Sequence, residues 1–438
     1  FHYSLLNPGV TLTLSGTNSG NVFAAGTETD NGAAQGETNV ISGPGATLLI
    51  DNTNANFVVR QESANGGSSL RSTLDLSGLD NLDASVSRFL VGVEGSFPRP
   101  AGTLYLAKTN VITAAGNSPA IAIGGNGGGN HNSGNSSYVL LGQVNTINAD
   151  SITVGRVKQT GNSSITFNTN VFTSPLAVFR GSDGVSRVGD WRLGDAEGGS
   201  GSGNTAGICN FSGGTVDALV DSLTLGRQAG SHSPIGTLIF DQGTIDVNTL
   251  TLGLQTQSGG NSASGIVNVN GSGTLIVNSN LVFGQVAGGT GAALTGGTLN
   301  LGGGVVDVRG ALEIGGLARV NVTNGFLNLP PNSKLSVDTL VVDGGTISNV
   351  TAIAATNQTV PSLTILNGGK IPNAQSFDLG TGGNAQWYPG DSLVFSNSLL
   401  GSGFIFADVT QGQGGILIPG AVGGPGKLYI YSDIAPGN

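Results

Sequence analysis

The side chains best suited to recognition chemistry are concentrated around Trp191. Three arginines and three aspartates flank this tryptophan: Arg180, Asp183, Arg187, Asp190, Arg192 and Asp195. An indole ring can stack on a sugar while guanidinium groups donate hydrogen bonds, so the stretch predicts a patch that binds a glycan or another partner. We favour the alternative, a solvated cluster of ion pairs that ties an inserted loop to the fold, because exposed ion pairs are common and contribute little.

Enzymatic cleavage of a polysaccharide is the reaction for which the chain is least equipped. Glycosidic cleavage needs two carboxyl groups at a defined separation, and the sequence has no adjacent aspartates. The three histidines, His2, His131 and His232, are scattered without the spacing of metal ligands. We therefore predict no catalytic residue, no metal site and no cofactor.

The composition is typical of many short strands joined by tight turns. Only 10% of the residues are charged, against about 25% in an ordinary soluble domain. Glycine contributes 76 of 438 residues, and it adopts the positive φ angles that tight turns require. The net charge of −10 disfavours a nucleic-acid partner, and no apolar run reaches the roughly 18 residues that cross a bilayer.

The single cysteine and the first residue are relevant to the cellular location of the protein. Cys209 has no partner for an intramolecular disulfide, and we expect it to be a small buried apolar residue. The chain opens at Phe1 without a charged and apolar leader, which favours a mature product whose signal segment has been removed. We therefore expect an extracellular or cell-surface location.

An internal repeat determines which strands hold the charged side chains around Trp191. A strand ending of the form apolar-x-apolar-Gly recurs, with its glycine at Gly92, Gly124, Gly155, Gly194, Gly226, Gly253, Gly284 and Gly315. Between these endings lies a second motif, Gly-Thr-Leu, which begins at Gly236, Gly273 and Gly297. A spacing of about 31 residues suits one coil of a solenoid with at least two strands. We predict an all-β, right-handed parallel β-helix with essentially no α-helix.

Alternating side chains within the strands support this fold. Val267 and Val269 are expected to face inward, and Asn268 and Asn270 outward. The repeat is regular over residues 89–344. Residues 1–88 and 345–438 are expected to form modified coils and to be possible assembly ends.

The repeated strands resemble those of bacterial autotransporter passenger domains and related glycine-rich secreted β-solenoid surface proteins. Gly-Thr-Leu combined with Leu-Thr-Leu-Gly, as in residues 223–226 and 250–253, carries the resemblance, which is good over residues 150–345. It implies a parallel β-helix displayed outside the cell, with an adhesive, matrix or surface-layer role. No catalytic residue follows from it.

Aromatic residues near the two ends suggest how such a rod could assemble. Terminal coils expose unpaired backbone groups, and aromatic side chains are enriched at protein interfaces. We predict head-to-tail contacts between subunits, which propagate as an open filament. The alternative is that these aromatics only plug the core. The candidate contact residues are Phe1, Tyr3, Trp387, Tyr388, Tyr429 and Tyr431.

The sequence thus predicts an extracellular structural protein that assembles with itself into a filament or surface coat. The first alternative is a monomeric adhesin or glycan-binding module with a surface polysaccharide as its partner. A polysaccharide lyase or hydrolase is the last alternative.

Overall fold

A computed structural model shows an all-β chain. The structure describes residues 2–26, 36–61, 71–93, 100–117, 119–125, 136–157, 161–197, 204–230, 232–257, 261–286, 295–355, 363–372, 374–378, 385–387, 393–395, 398–401, 403–405, 409–411, 415–419, 428–430 and 434–436.

Every secondary-structure element within these residues is a β-strand. In chain order the strands are β1 (His2–Leu5), β2 (Thr11–Ser15), β3 (Gly20–Ala25), β4 (Thr38–Val59), β5 (Ser72–Asp75), β6 (Leu79–Val91), β7 (Gly102–Tyr105), β8 (Thr109–Ala114), β9 (Ile121–Ile123), β10 (Tyr138–Leu141), β11 (Val144–Ala149), β12 (Ser151–Arg156), β13 (Asn162–Phe167), β14 (Leu176–Arg180), β15 (Val188–Glu197), β16 (Asn204–Asn210), β17 (Thr215–Ala229), β18 (Ser233–Phe240), β19 (Gly243–Gln255), β20 (Ser264–Asn270), β21 (Thr274–Val286), β22 (Gly296–Gly302), β23 (Val305–Val308), β24 (Ala311–Ile314), β25 (Leu317–Thr323), β26 (Phe326–Val337), β27 (Thr339–Asp343), β28 (Thr346–Ala355), β29 (Leu363–Leu366), β30 (Ser376–Asp378), β31 (Ala385–Trp387), β32 (Leu393–Phe395), β33 (Ser398–Gly401), β34 (Gly403–Ile405), β35 (Val409–Gln411), β36 (Ile416–Pro419), β37 (Leu428–Ile430) and β38 (Ile434–Pro436).

These strands build a parallel β-solenoid, which confirms the predicted fold class. One long sheet, here called sheet A, receives one strand per coil, for example β13, then β16, then β18. A second long sheet, sheet B, receives two straight segments per coil, such as β14 and β15, which both pair with β17 in the next coil. In the C-terminal part of the chain, β32, β35 and β38 form a short third sheet. Each regular coil therefore has three faces around one core.

The core is made of inward-facing side chains stacked in columns. Val267 and Val269 are fully buried, while Asn268 and Asn270 on the opposite side are half-buried, so the predicted alternation is confirmed. The rings of Phe23, Phe57 and Phe89 stack with centroids 4.9 Å and 4.4 Å apart. Because each apolar column is buried only by the coils above and below it, the stack as a whole stabilises each coil.

The two repeated glycines mark the corner where sheet B meets sheet A. Gly226 lies within β17 at a φ of +73°, and a Cβ on Gly236 in β18 would lie 2.6 Å from the Gly226 nitrogen. A Cβ on Gly226 would collide with the Ser264 carbonyl oxygen, and one on Gly236 would collide with the Leu193 carbonyl oxygen. Glycine recurs here because two backbones approach each other too closely for any side chain.

Coil length changes along the chain. Asp195 and its partner Arg227 in the next coil are 32 residues apart, close to the predicted repeat. Beyond β22 the coils are shorter, since the bonded pair Asn300 and Asn321 is separated by only 21 residues. The longer coils have a segment between the corner glycine and the next strand of sheet A, whereas Gly315 and Gly316 lead directly into β25.

Candidate functional sites

The charged residues around Trp191 lie on two neighbouring segments of sheet B and on the turn between them. Arg180 ends β14, and β15 holds Asp190, Arg192 and Asp195. Asp183 lies in the exposed turn, where its Oδ1 accepts hydrogen bonds from the amides of Val185 and Ser186 at 2.9 Å and 2.7 Å. These bonds hold the pKa of Asp183 below its usual range.

Asp195 is the centre of an ion-pair network. Its side chain is 1% exposed and accepts hydrogen bonds from Arg192 at 3.1 Å and from Arg227 at 3.0 Å. Burial raises the pKa of Asp195, and the guanidinium groups of Arg227 and Arg192 offset part of that rise. Burial acts to lower the pKa of Arg192, but Asp190 and Asp195 outweigh it, and the net change is upward. The carboxylate thus joins residues of two successive coils.

The remaining charges of the patch also pair between coils. Arg180 lies 2.8 Å from Asp217, and Arg187 lies 2.9 Å from Asp246. Arg187 also donates to the backbone carbonyl of Val220 at 3.1 Å. This arrangement is that of the favoured ion-pair cluster. A partner-binding role for its outer surface stays a prediction.

Trp191 does not have the surface position that stacking on a sugar requires, so that part of the prediction is wrong. Its side chain is 2% exposed and packs against Phe179, with centroids 4.6 Å apart. Cys209 is buried beside it, as expected. Burial raises the pKa of the Cys209 thiol, and the Trp191 N–H offsets part of the rise.

The predicted contact residues are placed near both ends where the structure describes them. Tyr3 on β1 is 57% exposed, and its hydroxyl lies 2.7 Å from Ser42 Oγ. Tyr429 on β37 is 44% exposed. The backbone of Trp387 belongs to β31. The other candidates, Phe1, Tyr388 and Tyr431, lie outside the described residues.

In the described part of the chain, the coil that contains β1, β2 and β3 is paired on one side, and its other side is here called an open edge. Each of these strands pairs with β4, and no other strand in the described part of the chain pairs with any of them. Thr47 donates to the Val10 carbonyl, and Gly16 donates to the Asp51 carbonyl. Because successive residues of a parallel strand alternate their hydrogen-bonding side, Thr11, Thr13 and Ser15 direct their backbone groups away from β4.

The coil that contains β36, β37 and β38 has the matching arrangement. These strands pair with β33, β34 and β35 respectively, again with no second partner among the described strands. Both edges thus consist of three parallel strands.

A concavity on the outer face of sheet A was missed by the sequence analysis. Tyr105 and Tyr138 lie on adjacent strands, because Tyr105 pairs with Leu140 and Tyr138 pairs with Thr103. The Arg71 guanidinium lies 4.8 Å from the centre of the Tyr138 ring. The only signal in the sequence was an aromatic residue at an outward position of each strand. Their adjacency depends on coil lengths that the sequence does not state.

Neither a metal centre nor a membrane span is found in the described part of the chain. No group of three histidine, cysteine, aspartate or glutamate side chains there is placed to hold a metal ion. The same residues include no helix long and apolar enough to cross a bilayer. His232 is fully buried.

The chain was compared with protein-family models, curated proteins and solved structures, and none of them matches. The resemblance to autotransporter passenger domains therefore stays a prediction.

Proposed function

We propose that the protein is an extracellular structural protein whose copies stack end to end into a filament or surface coat. The observation that carries the proposal is the pair of open edges, one formed by β1, β2 and β3 and the other by β36, β37 and β38. An unpaired strand edge is a template for pairing with another chain. The two edges have the same number of strands, three each, and all of these strands are in parallel ladders.

Stacking in this way gives an open assembly rather than a closed pair. Every ladder within the named strands is parallel, so the second copy continues the solenoid in the same direction. Its first coil then lies on the last coil of the copy before it. Such a head-to-tail contact joins two different surfaces, and one copy of each surface stays free at the ends of the assembly. Further copies can therefore add, which produces a fibre unless the rotation between successive copies closes a ring.

Apolar side chains at the two edges support the same contact. Tyr3 and Leu5 on β1 are 57% and 67% exposed, and Ile416 and Tyr429 near the other edge are 56% and 44% exposed. Burial of this area would contribute about 25 cal/mol per Å² before the cost of association. Backbone pairing would set the direction, and the apolar contacts would add affinity.

Electron microscopy of the purified protein tests the proposal. The protein is expected to form long fibres, and Thr13→Pro is expected to give isolated rods. The substitution removes an N–H that points away from β4 and adds a ring at the edge, while the bonds to β4 remain. Thr13→Ala is the matched control, because it retains the N–H and should still form fibres.

Two results would count against end-to-end stacking. Isolated rods of the unmodified protein at all concentrations would overturn it. Fibres of Thr13→Pro that match those of Thr13→Ala in length and number would show that this edge is not the contact.

A further inference from the structure

The outer face of sheet A contains a concavity of about 400 Å³ that crosses four consecutive coils. It is lined by side chains from β5, β7, β10 and β13 and by one arginine before β5. The lining residues that matter for the argument are Arg71, Thr103, Tyr105, Tyr138, Ser164 and Thr166. None of them belongs to the ion-pair cluster around Asp195 or to either open edge.

The chemical character of this concavity is mixed. The two tyrosines offer aromatic faces on neighbouring coils, and Thr103, Ser164 and Thr166 add aliphatic hydroxyl groups. A phenol ring can pack against the C–H face of a sugar, and hydroxyl groups can both donate to and accept from sugar hydroxyls. A few polar groups converging beside aromatic surface are what a small polar ligand needs for orientation.

The lining is also held in place before any ligand arrives. Tyr138 pairs in register with Thr103 on one side and with Ser164 on the other. Arg71 donates to Thr103 Oγ1 at 3.4 Å and to the Ser136 carbonyl at 3.2 Å while lying over the Tyr138 ring. A ring fixed by a cation on one face and by the ladder beneath it loses little freedom on binding.

Charge distinguishes between the classes of glycan. Among the described residues, Arg71 is the only charged one that lines the concavity, and it already has protein partners. Asp75, in register with Tyr105, adds negative charge at the margin. With a chain net charge of −10 as well, an acidic polysaccharide would be repelled at long range.

We propose that this concavity binds a short segment of a neutral polysaccharide, with Tyr105 as the main stacking surface and Tyr138 as a second one held by Arg71. The site lies on the flank of the solenoid, so a filament would display it once per subunit. Binding at this flank does not depend on end-to-end stacking.

Isothermal titration with defined oligosaccharides tests this proposal. The probes are cellohexaose, xylohexaose, maltohexaose and chitohexaose, with polygalacturonate as the acidic comparison. At least one neutral hexasaccharide is expected to bind, and Tyr105→Ala is expected to weaken that binding about tenfold or more. Tyr105→Phe should bind nearly as well as the unmodified protein, because the ring face remains.

The matched control is Ile239→Ala. Ile239 is another half-buried outward residue of sheet A in the same column as Tyr105, two coils beyond the concavity. It should leave binding unchanged. The proposal is overturned if none of the four neutral probes binds, if Tyr105→Ala and Ile239→Ala bind equally well, or if only polygalacturonate binds. Circular dichroism of each variant shows whether its fold is retained.

Discussion

Many polar side chains of this protein bond to their equivalents in the next coil. Asn300 donates to Asn268 and Asn321 donates to Asn300, each at 2.7 Å, so three coils share one ladder of amides. Asp307 accepts from Asn328 at 2.7 Å in the same manner. Because an amide is both donor and acceptor, asparagine can continue such a ladder without adding charge. This helps to explain how a chain with few charged residues satisfies its polar groups.

The environment of Cys209 predicts a thiol that does not react in the folded protein. Its side chain is fully buried, and burial raises the pKa of the thiol, which leaves almost no thiolate to act as a nucleophile. A thiol-specific reagent such as dithionitrobenzoate should label no cysteine in the native protein and one per chain in denaturant. Rapid labelling under native conditions would show that this part of the core opens.

The acid end of the stability profile should report on Asp307. Hydrogen bonds from Asn328 and then Arg309 lower the pKa of this carboxyl. Its contribution to stability is therefore present above the unfolded pKa and is lost as the pH falls through the folded pKa. Asp307→Asn should be less stable by at most about 1 kcal/mol at pH 7, because solvent screens this partly exposed carboxylate, and the difference should vanish once the pH lies below the folded pKa of Asp307.

Thermal unfolding of both proteins between pH 7 and pH 2 measures this difference. An equal difference at every pH would mean that the charge of Asp307 contributes nothing and that only side-chain shape matters.

The buried position of Trp191 could have been predicted from the repeat, although its surface position was predicted instead. Trp191-Arg192-Leu193-Gly194 has the same pattern as Leu223-Thr224-Leu225-Gly226. In the structure Trp191 pairs in register between Ile152 and Leu223, inside a column of the core. The repeat therefore already placed the indole inward. The local density of charge drew attention to the surface, although those charges occupy the alternate positions and the turn.

At the scale of elements, the corner glycines limit what the sequence can vary. Gly226→Ala should destabilise the protein by about 3 kcal/mol or more, because the φ of +73° is unfavourable and the new Cβ collides with the Ser264 backbone. Gly368 is the matched control: its φ is +75°, but no atom lies within 4 Å of a Cβ placed there. Gly368→Ala should therefore cost only about 1 kcal/mol.

Denaturant unfolding of the two variants separates backbone strain from close approach. Equal losses would mean that the collision at Gly226 relaxes without cost. In that case the positive φ angle alone would explain why glycine recurs at this position.

Most of the solenoid could be predicted from the sequence because its cause is local. Strand alternation and the recurring glycine both follow from short motifs, and the alternation is confirmed. The glycine was expected to end each strand, but β17, β19 and β21 continue beyond Gly226, Gly253 and Gly284. Which outward side chains become neighbours is a different matter, since it depends on the number of residues in each coil. Tyr105 and Tyr138 meet across a coil with an added segment, whereas Asn300 and Asn321 meet across a coil of 21 residues. A single average period could not reveal the concavity.

At the scale of the whole molecule, each coil contacts mainly the coil before it and the coil after it. Sheet B illustrates this, because β17 pairs with β19 and β19 pairs with β21, in order along the chain. Stability in such a stack is approximately a sum of terms between neighbours. The same property that lets one chain extend coil by coil would let a second copy continue the stack at an open edge.

A stack of this kind should accept additional coils if they keep the register. Residues 264–295 contain no charged residue, and Asn268 bonds to Asn300, which is 32 residues further on. Four extra copies of this segment, inserted after Thr295, should fold and lengthen the solenoid by about 20 Å, because each coil adds one strand spacing. Val267 would then stack on Val267 in the column that now runs from Leu238 to Leu299.

Small-angle scattering measures the length, and thermal unfolding measures the stability of the extended protein. Residues 264–279 inserted at the same place provide the control. This half coil would put sheet A strands against sheet B, so the protein should lose stability instead of gaining length. If the protein tolerates both insertions equally, the pairing between coils is not register-specific. End-to-end stacking through three matched strands would then lose its structural basis.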